Sequence, residues 1–240
     1  MATPALRIHV LISGGFSGAY EPLVVEFTRA SGIEVTTGSG ASQGSGPQTI
    51  GAQLARGVAA DVVILSREGL AELVAAKGIA AGTAVDLARV GLGVAVRAGA
   101  VHPDVSRVDA VKQVLLKAKT IAIPASTSGI WLKDQLFPRL GIADQIDARM
   151  TPRGSGAAAM VATGDADIAV MPVSEILAAP VVEFAGAFPL EIQMIQVFAA
   201  AVVTGSNAID AAKQLIEFLA SAQAAETIRR SGMEPIGAST

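Results

Sequence analysis

Serine and glycine recur at four places where an apolar, strand-like run ends and a helix is about to open. These are Leu11-Ile-Ser-Gly-Gly-Phe-Ser-Gly18, Val35-Thr-Thr-Gly-Ser-Gly-Ala-Ser42, Ile121-Ala-Ile-Pro-Ala-Ser-Thr-Ser-Gly129 and Met150-Thr-Pro-Arg-Gly-Ser-Gly156. A helix start carries unpaired backbone N–H groups and about half a positive charge, so hydroxyls placed there suit an anion. The candidate donors are Ser13, Gly15, Phe16, Ser17, Ser39, Ser42, Ser126, Ser128 and Ser155. Four such openings, divided between the halves of the chain, predict a cleft that surrounds one small anion.

Two charged residues stand among these loops. Arg153 lies at the tip of Thr151-Pro-Arg-Gly-Ser-Gly156, just before a helix, where a guanidinium can grip a carboxylate in a two-pronged fork. A solvated loop arginine fits the same position. Glu175, in Met171-Pro-Val-Ser-Glu175, directly follows a strand and so falls at the ligand end of its sheet, with Ser174 beside it. Its plainer role is an acid favouring the positive end of a helix over 175–179. Ser17 reads either as a ligand donor or as the cap of a helix carrying Tyr20 to Phe27. Gly14-Gly15 widens the first loop. Trp131 and Lys133 either line a cleft or pack and solvate.

Other chemistries fit poorly. Ser13-Gly-Gly-Phe-Ser-Gly18 lacks the first glycine of the dinucleotide fingerprint, and no acid ends the second strand, so a nicotinamide cofactor is not expected. Gly40-Ala-Ser-Gln-Gly44 matches a hydrolase elbow, but its base would have to be His102, leaving the C-terminal half of the chain without a role. His9 reads as a satisfied strand histidine and His102 as an exposed turn residue. Neither has a ligand-spaced partner, so neither a bound metal nor any other cofactor is expected. The chain has no cysteine, which removes thiol catalysis and disulfides.

The 240 residues are 51% hydrophobic and 16% charged, with a net charge of −3 and no basic cluster, which argues against a nucleic-acid partner. No apolar run reaches the ~18 residues that span a bilayer, so no membrane insertion is expected. Ala2-Thr3-Pro4 resembles the start of a mature exported chain with a Met added, which places the protein in the periplasm; a cytoplasmic start has the same letters. Nothing suggests an extensive apolar interface, so a monomer is expected.

Strand and helix patterns alternate throughout. Strands are expected over 6–12, 33–37, 61–65, 90–96, 120–123, 168–171 and 195–203, with helices between them, one over 154–163 and a last one capped by Asn207. This is an α/β pattern, predicting parallel sheet covered on both faces with ligands at the carboxyl ends of the strands. Divisions near 86–89 and 193–196 give a first lobe of residues 1–87 plus 197–240 and a second of 88–196.

Taken in order, several stations resemble the class II periplasmic solute-binding proteins of ABC importers, and among them the molybdate-binding branch. They are Ser13-Gly-Gly-Phe-Ser17, Gly38-Ser-Gly-Ala-Ser42, Leu54-Ala-Arg-Gly57 with Ala60-Asp-Val-Val-Ile64, Ser126-Thr-Ser-Gly129 and Gly164-Asp-Ala-Asp-Ile168. The resemblance implies a two-lobe fold, a two-strand hinge and an oxyanion held in a cleft by hydroxyls and backbone N–H groups. The chain departs from the molybdate pattern. Met171-Pro-Val-Ser174 stands where that branch usually has a Tyr, and Arg153 adds a charge that a molybdate site does not need. These changes suit a di- or tricarboxylate, and the chain is similar to the aconitate-isomerising branch of this scaffold. That similarity implies a 1,3-proton shift interconverting trans- and cis-aconitate, with Glu175 or Ser17 as the base. The alternative it leaves open is a receptor that delivers molybdate or an organic carboxylate to an ABC importer without chemistry.

Overall fold

Apolar runs of strand length and helices with a single buried stripe build two compact units in the computed structural model, which describes residues 6–237. Ala2-Thr3-Pro4 lies outside the described residues. One unit comprises Met1–Arg89 and Val197–Thr240, and the other Val90–Gln196.

The first unit contains β1 (Arg7–Ile12), α1 (Gly14–Ser31), β2 (Glu34–Ser39), α2 (Ile50–Ala55), β3 (Val62–Ser66), α3 (Arg67–Ala75) and β4 (Val85–Val90). The second runs from β5 (Leu92–Arg97) through α4 (Val108–Lys117), β6 (Ile121–Pro124) and α5 (Thr127–Trp131). A π turn over Leu132–Leu136 leads into α6 (Phe137–Arg139), then β7 (Ala148–Thr151), α7 (Gly154–Thr163), β8 (Ile168–Pro172), α8 (Val173–Leu177) and β9 (Val182–Ala187). The chain then returns to the first unit with β10 (Gln196–Val202), α9 (Ile209–Leu219), α10 (Ala222–Arg230) and β11 (Glu234–Pro235).

Each unit is built on one sheet, in the order β11-β4-β10-β3-β1-β2 for the first and β7-β6-β8-β5-β9 for the second. The two sheets repeat one plan. A central strand (β1 or β6) is flanked in parallel by the next two strands (β2 and β3, or β7 and β8). An antiparallel strand follows, β10 against β3 and β5 against β8. The sheets are therefore mixed, not purely parallel. An apolar run buried on both faces has the same composition whichever way it points, so the pattern does not report direction.

Acidic residues start the third strand of each plan. The Asp61 carboxylate accepts the His9 backbone N–H at 2.8 Å. Asp167 does the same for Lys119 and Thr120, at 2.6 and 3.3 Å. The Ala60-Asp and Ala166-Asp stations thus tie neighbouring strands together at their amino ends.

Several local expectations are corrected. The run over 90–96 is two strands in two sheets, broken at Gly91. Strands β7 and β9 are additional elements. Asn207 does not cap the penultimate helix; Ala208 stands at that position, and the Ser206 hydroxyl accepts the Ala208 N–H at 3.1 Å. His9 is half-buried, with its ring bonded to the Thr36 hydroxyl at 2.8 Å. Trp131 packs against the second unit's core, while Lys133 is exposed.

Gly14 and Gly15 do not widen a loop, because α1 already begins at Gly14. Any Cβ at position 15 would run into the ring of Phe198 on β10, 2.7 Å from its Cε atoms. Gly15→Ala is expected to destabilise the protein by about 1–3 kcal/mol through overpacking, read as a lower melting temperature. An unchanged melting temperature would show that the ring moves aside without cost.

Candidate functional site

In the first unit the carboxyl ends of β2, β1 and β3 lie side by side, and each runs into a serine. The register pairs Ile12 with both Ser39 and Ile64. The Ser13 N–H then bonds to the Ile64 carbonyl at 2.8 Å and the Gly40 N–H to the Ile12 carbonyl at 3.0 Å. Ser13 occupies the N-cap position of the 18-residue helix α1 with extended backbone, yet makes no capping bond. Its hydroxyl is buried, the residue only 4% exposed, and has no hydrogen-bond partner among the described residues. A buried hydroxyl left in this state costs about 1–3 kcal/mol, so it calls for a partner from outside the protein.

Ser17 is not a cap. It lies inside α1 and its hydroxyl donates to the Gly14 carbonyl at 2.7 Å. Phe16 is fully buried. Ser39 is exposed at the end of the outer strand. Ser42 is buried and its hydroxyl accepts the Ser66 N–H at 2.9 Å. Seven residues separate Ser42 from α2, so no strand-to-helix elbow forms there. Ser66, which the sequence reading passed over, ends β3 and caps α3 by accepting the Gly69 N–H at 3.2 Å. The spacing Ser66-Arg-Glu-Gly69 directly after an apolar run was the available signal.

The second unit repeats the arrangement with charge added. Strands β7, β6 and β8 are adjacent and parallel, so the starts of α7, α5 and α8 gather at one edge. The Ala125 N–H reaches the Thr151 carbonyl at 2.6 Å, drawing the first two loops together. Ser126 is half-buried at the N-cap of α5, and Ser128 is buried within it. Ser155 is exposed in the first turn of α7, and Ser174 is buried in α8. Arg153 is the N-cap of α7, half-buried and extended, its carbonyl accepting the Thr151 hydroxyl at 2.7 Å.

Glu175 stands in the first turn of α8, which runs over 173–177 instead of 175–179, but its carboxylate reaches a different helix. Its carboxylate accepts the N–H of Gly154, the first residue of α7. A Cβ at Gly154 would lie 2.7 Å from the Glu175 carboxyl carbon, so only glycine leaves this space. Burial pushes the Glu175 carboxyl up to about 7; the Arg153 charge and the Gly154 N–H pull it down but offset only part of that. A carboxyl balanced near neutrality, beside a guanidinium and a row of helix starts, can take and return a proton at ordinary pH.

Two cavities open at the opposite, amino edges of the sheets. One of about 740 Å³ is lined by Arg97, Lys117 and Lys119, and one of about 470 Å³ by His9, Asp61 and Ser206. The second brings a serine, an acid and a histidine together without forming a triad. Ser206 donates to Asp61, whereas the His9 ring bonds to Thr36. No cluster of metal-ligating residues occurs among the described residues. No described helix is long and apolar enough to cross a membrane.

Residues 8–234 match the family described as bacterial extracellular solute-binding protein. An aconitate isomerase from a Pseudomonas species is 36% identical over 239 residues, covering 99% of this chain and 91% of that protein. The periplasmic molybdate-binding protein of Azotobacter vinelandii superimposes with a TM-score of 0.70 at 18% identity, covering 94% of this chain and 98% of that one. The sulfate-binding protein SubI of Mycobacterium tuberculosis gives 0.72 at 19% identity, covering 96% and 87%. At these identities the two structures speak for the fold alone.

Proposed function

We propose that this chain, which belongs to the bacterial extracellular solute-binding proteins, is an isomerase that interconverts trans- and cis-aconitate. The observation that carries the proposal is the Arg153–Gly154–Glu175 cluster, a cation and a near-neutral carboxyl side by side at a sheet edge rich in helix starts. The full-length similarity to an aconitate isomerase supports the same reading.

Aconitate carries a methylene group on one side of its double bond and a vinylic C–H on the other, each bearing a carboxylate. Glu175, as carboxylate, takes one methylene proton. The electron pair left behind spreads over the three-carbon allylic system and into the adjoining carboxylate. The proton then goes to the former vinylic carbon, so the double bond moves one place and the methylene and methine carbons exchange. No electrons are gained or lost, and Glu175 ends as it began.

The anion formed midway holds more charge on its carboxylate oxygens than the substrate does, so donors already aimed at those oxygens lower the barrier. Arg153 supplies the guanidinium. Ser126, Ser128, Ser155 and Ser174 of the same unit supply neutral donors. Ser17 is not assigned the proton transfer, because its hydroxyl proton already rests on the Gly14 carbonyl. The reaction requires no cofactor. We place the protein in the periplasm as a monomer.

Ser13→Ala separates a ligand role from a structural one. Removing a buried hydroxyl that has no partner among the described residues leaves stability unchanged or raises it by up to about 1 kcal/mol, while the affinity of this unit for a carboxylate falls about tenfold. A loss of stability with unchanged affinity would make Ser13 a structural residue.

The receptor reading draws on the family itself and needs the same cluster without turnover. Melting the protein with trans-aconitate and analysing the same solution by chromatography separates the two. A higher melting temperature with cis isomer formed supports the isomerase. A higher melting temperature with only trans isomer recovered supports the receptor. No shift and no product removes both as aconitate proteins.

A further inference from the structure

Anion sites at helix starts normally offer their first amides to the ligand, and here one is already taken by the protein. The Gly154 N–H opens the ten-residue helix α7, and Glu175 is its acceptor. The carboxylate is held in place. It fills the space a Cβ would occupy at position 154, and the sulfur of Met171 closes the same space from the β8 side, 3.4 Å from that Cβ position. Once Glu175 is ionised, above about pH 7, the charges at this edge oppose each other, Arg153 with one positive and Glu175 with one negative. At the start of α7 a small tetrahedral dianion then finds the first amide taken and no net positive charge. It also lacks a hydrogen that Glu175 could accept. A polycarboxylate differs on each count, since it can set one carboxylate on Arg153 and present a C–H bond to Glu175.

We infer that Glu175 is a specificity-determining residue that excludes inorganic tetrahedral dianions, of the sulfate and molybdate type, by occupying the start of α7 with the protein's own carboxylate. This rests on the reading of the Arg153–Glu175 cluster as a ligand site. It adds a selective function that is separable from proton transfer, because rejection of a like charge needs no chemistry.

The test is calorimetric titration of the wild-type protein, Glu175→Gln and Glu175→Ala with sodium molybdate, sodium sulfate and trans-aconitate. Gln removes the charge while keeping an acceptor for the Gly154 N–H; Ala removes the charge and frees that N–H. The wild type is expected to bind trans-aconitate and to bind neither oxyanion at millimolar concentration. Both variants are expected to gain at least tenfold for one oxyanion, Ala more than Gln. Variants that bind trans-aconitate but stay as indifferent to both oxyanions as the wild type overturn the inference and leave the ligand site standing. So does a wild type that binds molybdate or sulfate as tightly as the variants. A wild type that fails to bind trans-aconitate overturns the ligand-site reading itself, and the inference with it.

Discussion

Glu175→Gln is expected to slow aconitate isomerisation by about 10²–10⁴-fold, the usual contribution of a positioned base, with substrate affinity changed only a few-fold. Gln keeps the shape and the bond to Gly154 but cannot carry a proton. The pH dependence gives the sign. The working form is the carboxylate, so the wild-type rate should rise about tenfold per pH unit below 7 and level off above it. Stability should run the other way. The folded chain holds the Glu175 proton up to about pH 7, whereas a free carboxyl releases it near 4.5. Between those values the folded state binds more protons than the unfolded one, so stability falls as pH rises. The loss is on the order of 2 kcal/mol for this half-buried group, and complete above the higher value. The same decline should be absent from Glu175→Gln, which would be the more stable protein at pH 8. A variant with wild-type turnover would remove Glu175 from the chemistry. Parallel stability curves for the two proteins would show that its carboxyl is not buried in the way described.

Arg153→Ala is expected to weaken aconitate binding by about 2–5 kcal/mol, or ~30–5,000-fold in affinity, if the guanidinium grips a carboxylate away from water. Removing it also takes away the charge that holds the Glu175 carboxyl down, so the acidic limb of the rate profile should move to higher pH. Arg153→Lys keeps the charge without the planar fork and should fall between the two, nearer wild type in the pH profile than in affinity. The coupled shift matters because a solvated loop arginine would move neither quantity. Calorimetry and a pH–rate series on the same three proteins decide it.

Much of this architecture is legible in the letters. The bounds of α7 stand out because glycines sit at both ends, and Gly164 adopts the left-handed conformation that closes the helix. The runs of β1, β3, β6 and β8 announce themselves as short apolar segments that end at or just before Ser or Pro. What stays hidden is direction and partnership. Val90 and Leu92 read as one strand because Gly91 is the only mark of the break between two sheets. The aspartates at 61 and 167 look like motif chemistry but hold strand ends.

The candidate site divides in the same way. Serines at strand ends were visible, and so was an acid following β8. That Glu175 would rest on Gly154, at the start of a different helix, depends on β7, β6 and β8 being neighbours, which no local spacing encodes. The orphan state of the Ser13 hydroxyl is likewise a property of packing: α1 starts one residue later, so the side chain is enclosed without finding a partner.

The most direct measurement is equilibration from both sides. Purified protein is given pure trans-aconitate in one vessel and pure cis-aconitate in another, and each is followed by chromatography. Both are expected to converge on one common ratio, at a rate about 10²–10⁴-fold lower in Glu175→Gln. Saturable binding of either isomer, with each recovered unchanged after long incubation at micromolar protein, would contradict the proton-shift chemistry and leave a receptor in its place.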